Sequence, residues 1–204
     1  MNKTQLLQSL KQKGFSKEIL NSFSKVKREN FISERLKTSA YEDNALSIGK
    51  AQTISQPYTI AMMLSLLKLK KSQKVLEVGS GCGYVLALIS RIVEDNGKVF
   101  GIEIIKELAE KSKKNLKKYK NIKVYNKSGA KGFIEHAPYD RILISAACKK
   151  IPKKLFFQLK DKGIIVAPVG SQYEQSLIVV QRIKDKFITK KQIPGFIFVP
   201  FVKD

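Results

Sequence analysis

The chain has 204 residues, of which 43% are hydrophobic, and this length and composition fit one domain with a sizeable buried core. No apolar run reaches the roughly 18 residues that a transmembrane helix needs, so we expect no membrane partner. The first residues lack the apolar stretch of a signal peptide, and we expect a cytoplasmic protein. The single histidine, His136, and the two cysteines, Cys82 and Cys148, disfavour a Cys/His metal site and a histidine-based triad, and we predict no metal.

The formal net charge is +22. Strong positive charge attracts nucleic acids and acidic substrates. The lysines are scattered through every segment, however, and arginine is scarce, which favours a general compositional bias over a dedicated RNA groove. Nucleic acid therefore stays open as a partner without being the favoured one, and we expect a monomer.

Helical patterns dominate the first part of the chain. The apolar spacing predicts helices over residues 4–13 and 17–25. Residues 36–55 show no period, and we expect irregular structure there. A third helix is predicted over 58–67, with Ser55 as its N-cap.

From residue 74 onward, short apolar runs alternate with helical patterns, which predicts a parallel sheet with right-handed crossovers and helices on both faces. The predicted strands cover 74–78, 98–102, 122–126, 140–146 and 163–167. The predicted helices cover 84–94, 105–119, 130–136 and 152–160. Two later apolar runs are not separated by a full helix and are predicted to close the sheet as antiparallel edge strands, at 177–180 and 196–199. The expected fold is therefore α/β and Rossmann-like, with an N-terminal helical extension.

The most informative stretch is V-L-E-V-G-S-G-C-G-Y, residues 75–84. A short apolar run contains an acid, Glu77, and is followed by Gly79, Gly81 and Gly83 and then by a helical pattern. Strand, tight glycine loop and helix form the opening unit of nucleotide-binding α/β sheets, in which the ligand lies against bare main chain. The G-x-G-x-G spacing with its preceding acid resembles the first motif of S-adenosylmethionine-dependent methyltransferases.

A second acid, Glu103, ends the next predicted strand. It follows Gly83 by 20 residues, the interval at which such folds place a carboxylate against ribose hydroxyls. A carboxylate can accept two hydrogen bonds from a diol, so we predict a ribose contact. Ligands in open α/β sheets bind beyond the carboxyl ends of the strands. The segment 52–57 precedes the first strand and is predicted to fold across that edge as a lid.

Several stretches resemble the protein-L-isoaspartate O-methyltransferase family. The most specific is residues 40–63, which contain Q-T-I-S-Q-P. The others are A-P-Y-D-R-I-L-I-S-A-A (137–147), I-P-x-x-L-x-x-Q-L-K (151–160), A-P-V-G (167–170) and F-V-P-F (198–201). These matches run in order along nearly the whole chain. We expect a single methyltransferase domain with an N-terminal helical and lid segment (1–70), a cofactor-binding core (71–170) and C-terminal strands (171–204).

The resemblance implies a repair reaction on isoaspartyl-containing proteins and peptides, with S-adenosyl-L-methionine as cofactor. The enzyme would methylate the misplaced carboxylate, and the ester would close to a succinimide that can reopen to the normal linkage. A carboxylate with a pKa near 4 is already ionised at pH 7, and the leaving group is a neutral thioether, so no general base is needed. The protein must supply in-line placement and removal of water.

The resemblance also implies the site residues. Ser55 would be the active-site hydroxyl, near both the sulfonium and the incoming carboxylate. The expected cofactor site comprises Gln52, Thr53, Ser55, Glu77, Gly79, Ser80, Gly81, Gly83, Glu103, Ile104, Ser128 and Gly129.

Two departures from the family pattern stand out. The family places G-D-G after the third strand of the sheet, with the acid close to the adenine, where this chain has Lys127-Ser128-Gly129. A serine is a neutral and weaker acceptor than a carboxylate, so weaker cofactor binding is expected. The family's V-P-R-E near the N-terminus is V-K-R-E here, at residues 26–29.

Two alternatives to the repair reaction stay open at the level of sequence. The charge favours an RNA methyltransferase, although the Pro-Pro-aromatic motif of amino-methylating enzymes is absent after the fourth strand, where residues 145–148 read S-A-A-C. The change at Ser128 favours a cofactor-binding module with weakened or lost turnover.

Overall fold

The computed structural model describes residues 1–201, and the last three residues of the predicted C-terminal segment lie outside that range. The α-helices are α1 Lys3–Gln12, α2 Lys17–Lys25, α3 Pro57–Leu67, α4 Tyr84–Val93, α5 Lys106–Asn115 and α6 Lys153–Phe157. The strands are β1 Leu46–Gly49, β2 Gln52–Ile54, β3 Lys74–Val78, β4 Lys98–Glu103, β5 Ile122–Asn126, β6 Tyr139–Ile144, β7 Leu159–Gly170, β8 Gln175–Ile183 and β9 Lys186–Phe196. Short 3-10 helices occupy Arg28–Phe31, Glu34–Ser39 and Ile134–His136.

One seven-stranded sheet organises the fold, with strand order β5-β4-β3-β6-β7-β8-β9. The first five strands in that order pair in parallel, and β7-β8 and β8-β9 pair antiparallel. Central strands such as β3 are buried on both faces, because helices cover both sides of a parallel sheet. The predicted α/β fold with antiparallel edge strands is confirmed. Among residues 1–201, no helix combines the length and the apolar character needed to cross a bilayer.

The predicted position of the last strand is wrong. The expected strand at 196–199 is replaced by β9, which ends at Phe196 and forms a hairpin with β8. Most of β9 is exposed because it is the edge strand of the sheet. Its sequence is rich in lysine, so it contains no apolar run that would predict a strand. Lysine on an edge strand also discourages pairing with another sheet.

Three predicted helices are shorter in the structure. The helix expected at 105–119 ends at Asn115, and that at 130–136 is reduced to one 3-10 turn, Ile134–His136. The helix expected at 152–160 ends at Phe157 because β7 begins at Leu159. Buried apolar residues outside helical structure, Leu116, Tyr119, Phe133 and Leu159, produced the spacing that suggested longer helices.

The expectation of irregular structure at 36–55 is also wrong. This stretch contains the end of a 3-10 helix and the β1-β2 hairpin, in which Ser47 pairs with Thr53. The tight turn of the hairpin places Lys50 and Ala51 at positive φ, 55° and 53°. Such turns ordinarily use Asn-Gly, so Lys-Ala gave no signal. We call residues 46–57, the hairpin and the turn into α3, the flap.

The predicted N-cap of α3 is wrong as well. Gln56 occupies the N-cap position and makes no side-chain capping bond. The carboxylate of Asp43 instead accepts a hydrogen bond of 2.7 Å from the backbone N–H of Tyr58, in the first turn of α3. A carboxylate there satisfies an orphan donor and complements the helix dipole, which leaves the Ser55 hydroxyl free of a capping role.

Replacing Asp43 with alanine should lower the free energy of unfolding by about 1 kcal/mol, the typical value of a capping side chain. Ser16→Ala is the control, since Ser16 sits at the N-cap of α2 without a side-chain capping bond. Urea unfolding of both variants measures the difference. Equal losses in the two variants would contradict the assignment of Asp43 as the cap of α3.

Candidate active site

A cavity lies at the carboxyl ends of β3, β4 and β6, between these strand ends, the flap and residues 199–201. Seven of the predicted site residues line it: Gln52, Thr53, Gly79, Gly81, Glu103, Ile104 and Gly129. Its volume is about 60 Å³, whereas ligand sites usually hold about 300–1,000 Å³. A nucleoside-sized ligand therefore fits only if the flap or the segment 199–201 moves outward.

The glycine loop between β3 and α4 forms one wall of this cavity. Gly79, Gly81 and Gly83 all have positive φ, at 79°, 51° and 87°. Only glycine adopts these values without strain, so the loop can turn tightly and expose main chain. Gly83 does not line the cavity. A side chain there would lie 2.5 Å from the Ser112 hydroxyl and 2.7 Å from Leu116, so its role in this structure is the close packing of α4 and α5.

Glu103 joins the glycine loop to the end of β4. One carboxylate oxygen accepts a hydrogen bond of 2.8 Å from the Gly81 N–H, and the other accepts one of 2.9 Å from the Ile105 N–H. The side chain is buried, yet it faces the cavity. A carboxylate has about four acceptor positions, so two remain for a ligand diol. Glu103 therefore lies where ribose hydroxyls can reach its carboxylate.

Glu77 lies one layer behind the cavity. Its Oε1 accepts a hydrogen bond of 2.7 Å from the Ser145 hydroxyl, and its Oε2 has no partner within residues 1–201. Complete burial raises the pKa of Glu77 to about 8, and the nearby charge of Glu103 acts in the same direction. Ser145 lines the cavity directly. No sequence pattern singles it out, because it is one of several small residues after β6.

The other predicted site residues fall outside the cavity lining. Ser80 is buried in the loop, and its hydroxyl has no partner within the described range. Ser128 lies in a separate surface depression beside Lys127 and Glu135. Ser55 is half-buried in the flap, directly after the strand that carries Gln52 and Thr53. The structure thus brings seven of the twelve predicted residues to one cavity, and it places Ser55, Glu77, Ser80, Gly83 and Ser128 around or behind it.

The chain matches, over residues 1–204, the model of the family described as protein-L-isoaspartate(D-aspartate) O-methyltransferase. The chain belongs to this family. Among family members, it is similar to the protein-L-isoaspartate O-methyltransferase of Methanococcoides burtonii, with 40% identity over 97% of this chain and 98% of that one. It is also similar to that of Methanothrix thermoacetophila, with 43% identity over 99% of this chain and 95% of that one.

Two solved structures of proteins described as protein-L-isoaspartate O-methyltransferases superpose on this chain. One protein-L-isoaspartate O-methyltransferase superposes with a TM-score of 0.89 at 27% identity, over 97% of this chain and 65% of that one, so this chain spans about two thirds of its length. A Plasmodium falciparum protein of the same description, in complex with S-adenosyl-L-homocysteine, superposes with a TM-score of 0.86 at 26% identity over 100% of both chains. The fold is therefore that of S-adenosylmethionine-dependent methyltransferases.

Arg28, in the chain's version of the family's V-P-R-E stretch, has a structural role that the sequence did not indicate. Its side chain is fully buried and forms no salt bridge with any carboxylate in residues 1–201. Instead it donates hydrogen bonds to four backbone carbonyl oxygens. Nη1 contacts Ala40 at 2.8 Å and Glu42 at 3.3 Å, and Nη2 contacts Asn44 at 3.0 Å and Ser55 at 3.1 Å. Arg28 therefore ties the segment before the flap to Ser55, near the end of the flap.

The raised pKa of Glu77 predicts a pH effect on stability. The unfolded chain loses this proton near pH 4.3, whereas the folded protein holds it until about pH 8. Between these values the folded state binds more protons, so the contribution of Glu77 to the free energy of unfolding falls as pH rises.

Glu77→Gln should remove this pH-dependent contribution. The stability of the variant relative to the parent protein should therefore rise from pH 5 to pH 8. Urea midpoints of both proteins at the two pH values measure the effect. Glu34→Gln, at an exposed position, is the control and should follow the parent. A parallel pH dependence in parent and Glu77→Gln would contradict a proton held by Glu77.

Proposed function

We propose that this protein transfers a methyl group from S-adenosyl-L-methionine to the carboxylate of L-isoaspartyl residues in damaged proteins and peptides, as a repair enzyme. The observation that carries the proposal is membership of the family over the whole chain. The cavity supports it, because a glycine loop and a buried carboxylate meet at the carboxyl ends of the strands, where such folds bind nucleosides.

The methyl transfer needs no general acid or base. S-adenosylmethionine supplies an electrophilic methyl group on a sulfonium. A carboxylate oxygen attacks that methyl carbon, the carbon–sulfur bond breaks, and its electron pair stays on the sulfur, so an anion and a cation become a neutral ester and a neutral thioether. Opposite charges disappear in this step, and a site closed to water favours it. A flap over the strand ends is suited to excluding water.

We assign the residues as follows. Glu103 accepts hydrogen bonds from the ribose hydroxyls, and the main chain of Gly79 and Gly81 forms the surface on which the nucleoside lies. Gln52 and Thr53 contact the amino-acid end of the cofactor from the flap, and Ser55 donates its hydroxyl hydrogen bond to the substrate carboxylate. The remaining assignments are Glu77, Ser80, Gly83 and Ile104 around the loop and Ser128 and Gly129 near the adenine.

The flap position of Ser55 supports its assignment in two ways. Its side-chain hydroxyl is not used as the cap of α3, since Asp43 bonds to the first turn of that helix. Its carbonyl oxygen is held by Arg28 at 3.1 Å, so its backbone is fixed while its side chain is free to act. An outward movement of the hairpin, residues 46–54, would admit ligands while Arg28 holds the backbone of Ser55 in place.

We further propose that the protein acts as a single domain, as a monomer and in the cytoplasm. The larger of two hydrophobic clusters runs from Leu6 in α1 to Phe198 near the C-terminus and joins the N-terminal helices to the sheet, which supports the single domain. Exposed lysines on the edge strand β9, among them Lys190 and Lys191, disfavour association through that edge and support the monomer.

Transfer of tritiated methyl from S-adenosylmethionine tests the function. Label on isoaspartyl peptides and not on matched aspartyl peptides is the expected result. Label on tRNA or rRNA would instead favour an RNA methyltransferase. Cofactor binding in a calorimeter without any transfer would favour a binding module.

Ser55→Ala should keep the fold and cofactor binding and should lower kcat at least about tenfold, as expected when one hydrogen bond to a charged group is lost near the transition state. Ser47→Ala is the matched control, because Ser47 lies in the same flap and is exposed. The control should stay within about twofold of the parent. Unchanged kinetics in Ser55→Ala would remove Ser55 from the site.

A further inference from the structure

A second, larger cavity lies at the amino ends of β4 and β5, on the edge of the sheet opposite the glycine loop. Its volume is about 720 Å³, within the usual range for small-molecule sites. The distance along β4 from Lys98 at this edge to Glu103 at the other is roughly 17 Å, from the rise per residue of a strand. The cavity is therefore separate from the proposed methyl-transfer site.

Positive charge dominates the lining of this cavity. The lining contains one acid, Asp95, and five cationic side chains. The five are Arg91, Lys98, Lys118, Lys120 and Lys123. None of these five forms a salt bridge with any residue in the range 1–201. Like charges crowded around a concave surface focus a positive potential and attract anions.

The nearby carboxylates are already engaged by lysines outside the cavity. Glu94 pairs with Lys71 at 2.8 Å. Glu135 pairs with Lys127. The excess charge is therefore not neutralised by the protein's own acids.

The wall of the cavity is held in place by packing and hydrogen bonds. The Ser90 hydroxyl donates to Asn121 Oδ1 at 2.7 Å, and Asn121 Nδ2 donates to the Glu94 carbonyl at 2.8 Å. The Arg91 guanidinium lies 5.0 Å from the ring centroid of Tyr119, a cation–π contact that restricts its position. These contacts hold the backbone of the site in place, and the lysine side chains surround it.

We propose that this cavity binds a multiply charged phosphate anion. Arginine and lysine are the side chains proteins use for phosphate oxygens. The aromatic rings in the lining, Tyr119 and Phe100, are both buried, so neither offers a face on which a base could stack. The group that the cavity binds is therefore a cluster of phosphate oxygens. A free oligophosphate or the phosphodiester backbone of a nucleic acid can supply it.

The only histidine of the chain, His136, lies in the cavity wall and reports on its charge. Its ring stacks on Phe100 with centroids 4.3 Å apart, and its Nε2 is 3.0 Å from the Tyr125 hydroxyl. Partial burial lowers the pKa of His136, the charges of Lys123, Lys74 and Lys127 lower it further, and Glu135 opposes them. A bound anion would oppose the lysines and raise this pKa.

The test is a proton NMR titration of His136 with and without tripolyphosphate, combined with calorimetry. The expected results are a higher pKa of His136 in the presence of tripolyphosphate and saturable binding. The double variant Lys98→Gln, Lys123→Gln should bind at least about tenfold more weakly, since two of the five cationic partners of the anion are lost. Saturation with S-adenosyl-L-homocysteine should leave tripolyphosphate affinity unchanged.

The matched control is Lys190→Gln, Lys191→Gln, which removes the same charge from exposed positions on β9. It should change affinity less than about twofold, because charges beyond a Debye length are screened. Equal weakening in both double variants, or a pKa of His136 that does not move, would overturn the site. A short single-stranded oligouridine run in parallel identifies the source of phosphate. Binding that depends on Lys98 and Lys123 supports the site for either ligand.

Discussion

One buried arginine sets the geometry on which the proposed active site depends. Arg28 carries a positive charge in an environment that offers no carboxylate partner within the described residues, and burial lowers its pKa. Four backbone carbonyl oxygens compensate the charge, and three of them, at Ala40, Glu42 and Asn44, belong to a segment with little regular structure. The fourth belongs to Ser55. A single side chain therefore replaces the ladder of hydrogen bonds that a strand or helix would supply.

The N-terminal segment also links the flap to the glycine loop. Tyr84, the first residue of α4 and the neighbour of Gly83, is buried between Phe23 and Phe31, whose rings meet it edge-on at 6.2 Å and 5.3 Å. Phe31 ends the short helix that begins with Arg28. The N-terminal segment thus packs against the start of α4 and bonds to the end of the flap. The position proposed for the Ser55 hydroxyl relative to the glycine loop therefore depends on the packing of the N-terminal segment.

The sequence predicted the parts of the molecule that rest on local patterns. The strands β3 to β6 and the glycine loop were predicted because apolar runs and glycine spacing are local, and Glu103 was selected by its interval from Gly83. The hairpin turn was missed because Lys50 and Ala51 carry no turn signal. The cap of α3 was wrongly assigned to the adjacent Ser55. The residue that bonds to the first turn, Asp43, lies 15 residues before Tyr58 and is not recognisable from local sequence. The clamp by Arg28 could not be predicted, since its four acceptors are backbone atoms, which every sequence has.

Amide hydrogen exchange in Arg28→Lys tests the central claim most directly. A lysine keeps the charge but cannot reach four carbonyl oxygens in fixed directions. The account predicts that exchange at residues 40–55 accelerates at least about tenfold through local opening, while exchange in β3, β4 and β6 stays as in the parent. Unchanged exchange at 40–55, or equal acceleration throughout the sheet, would contradict a clamp specific to the flap.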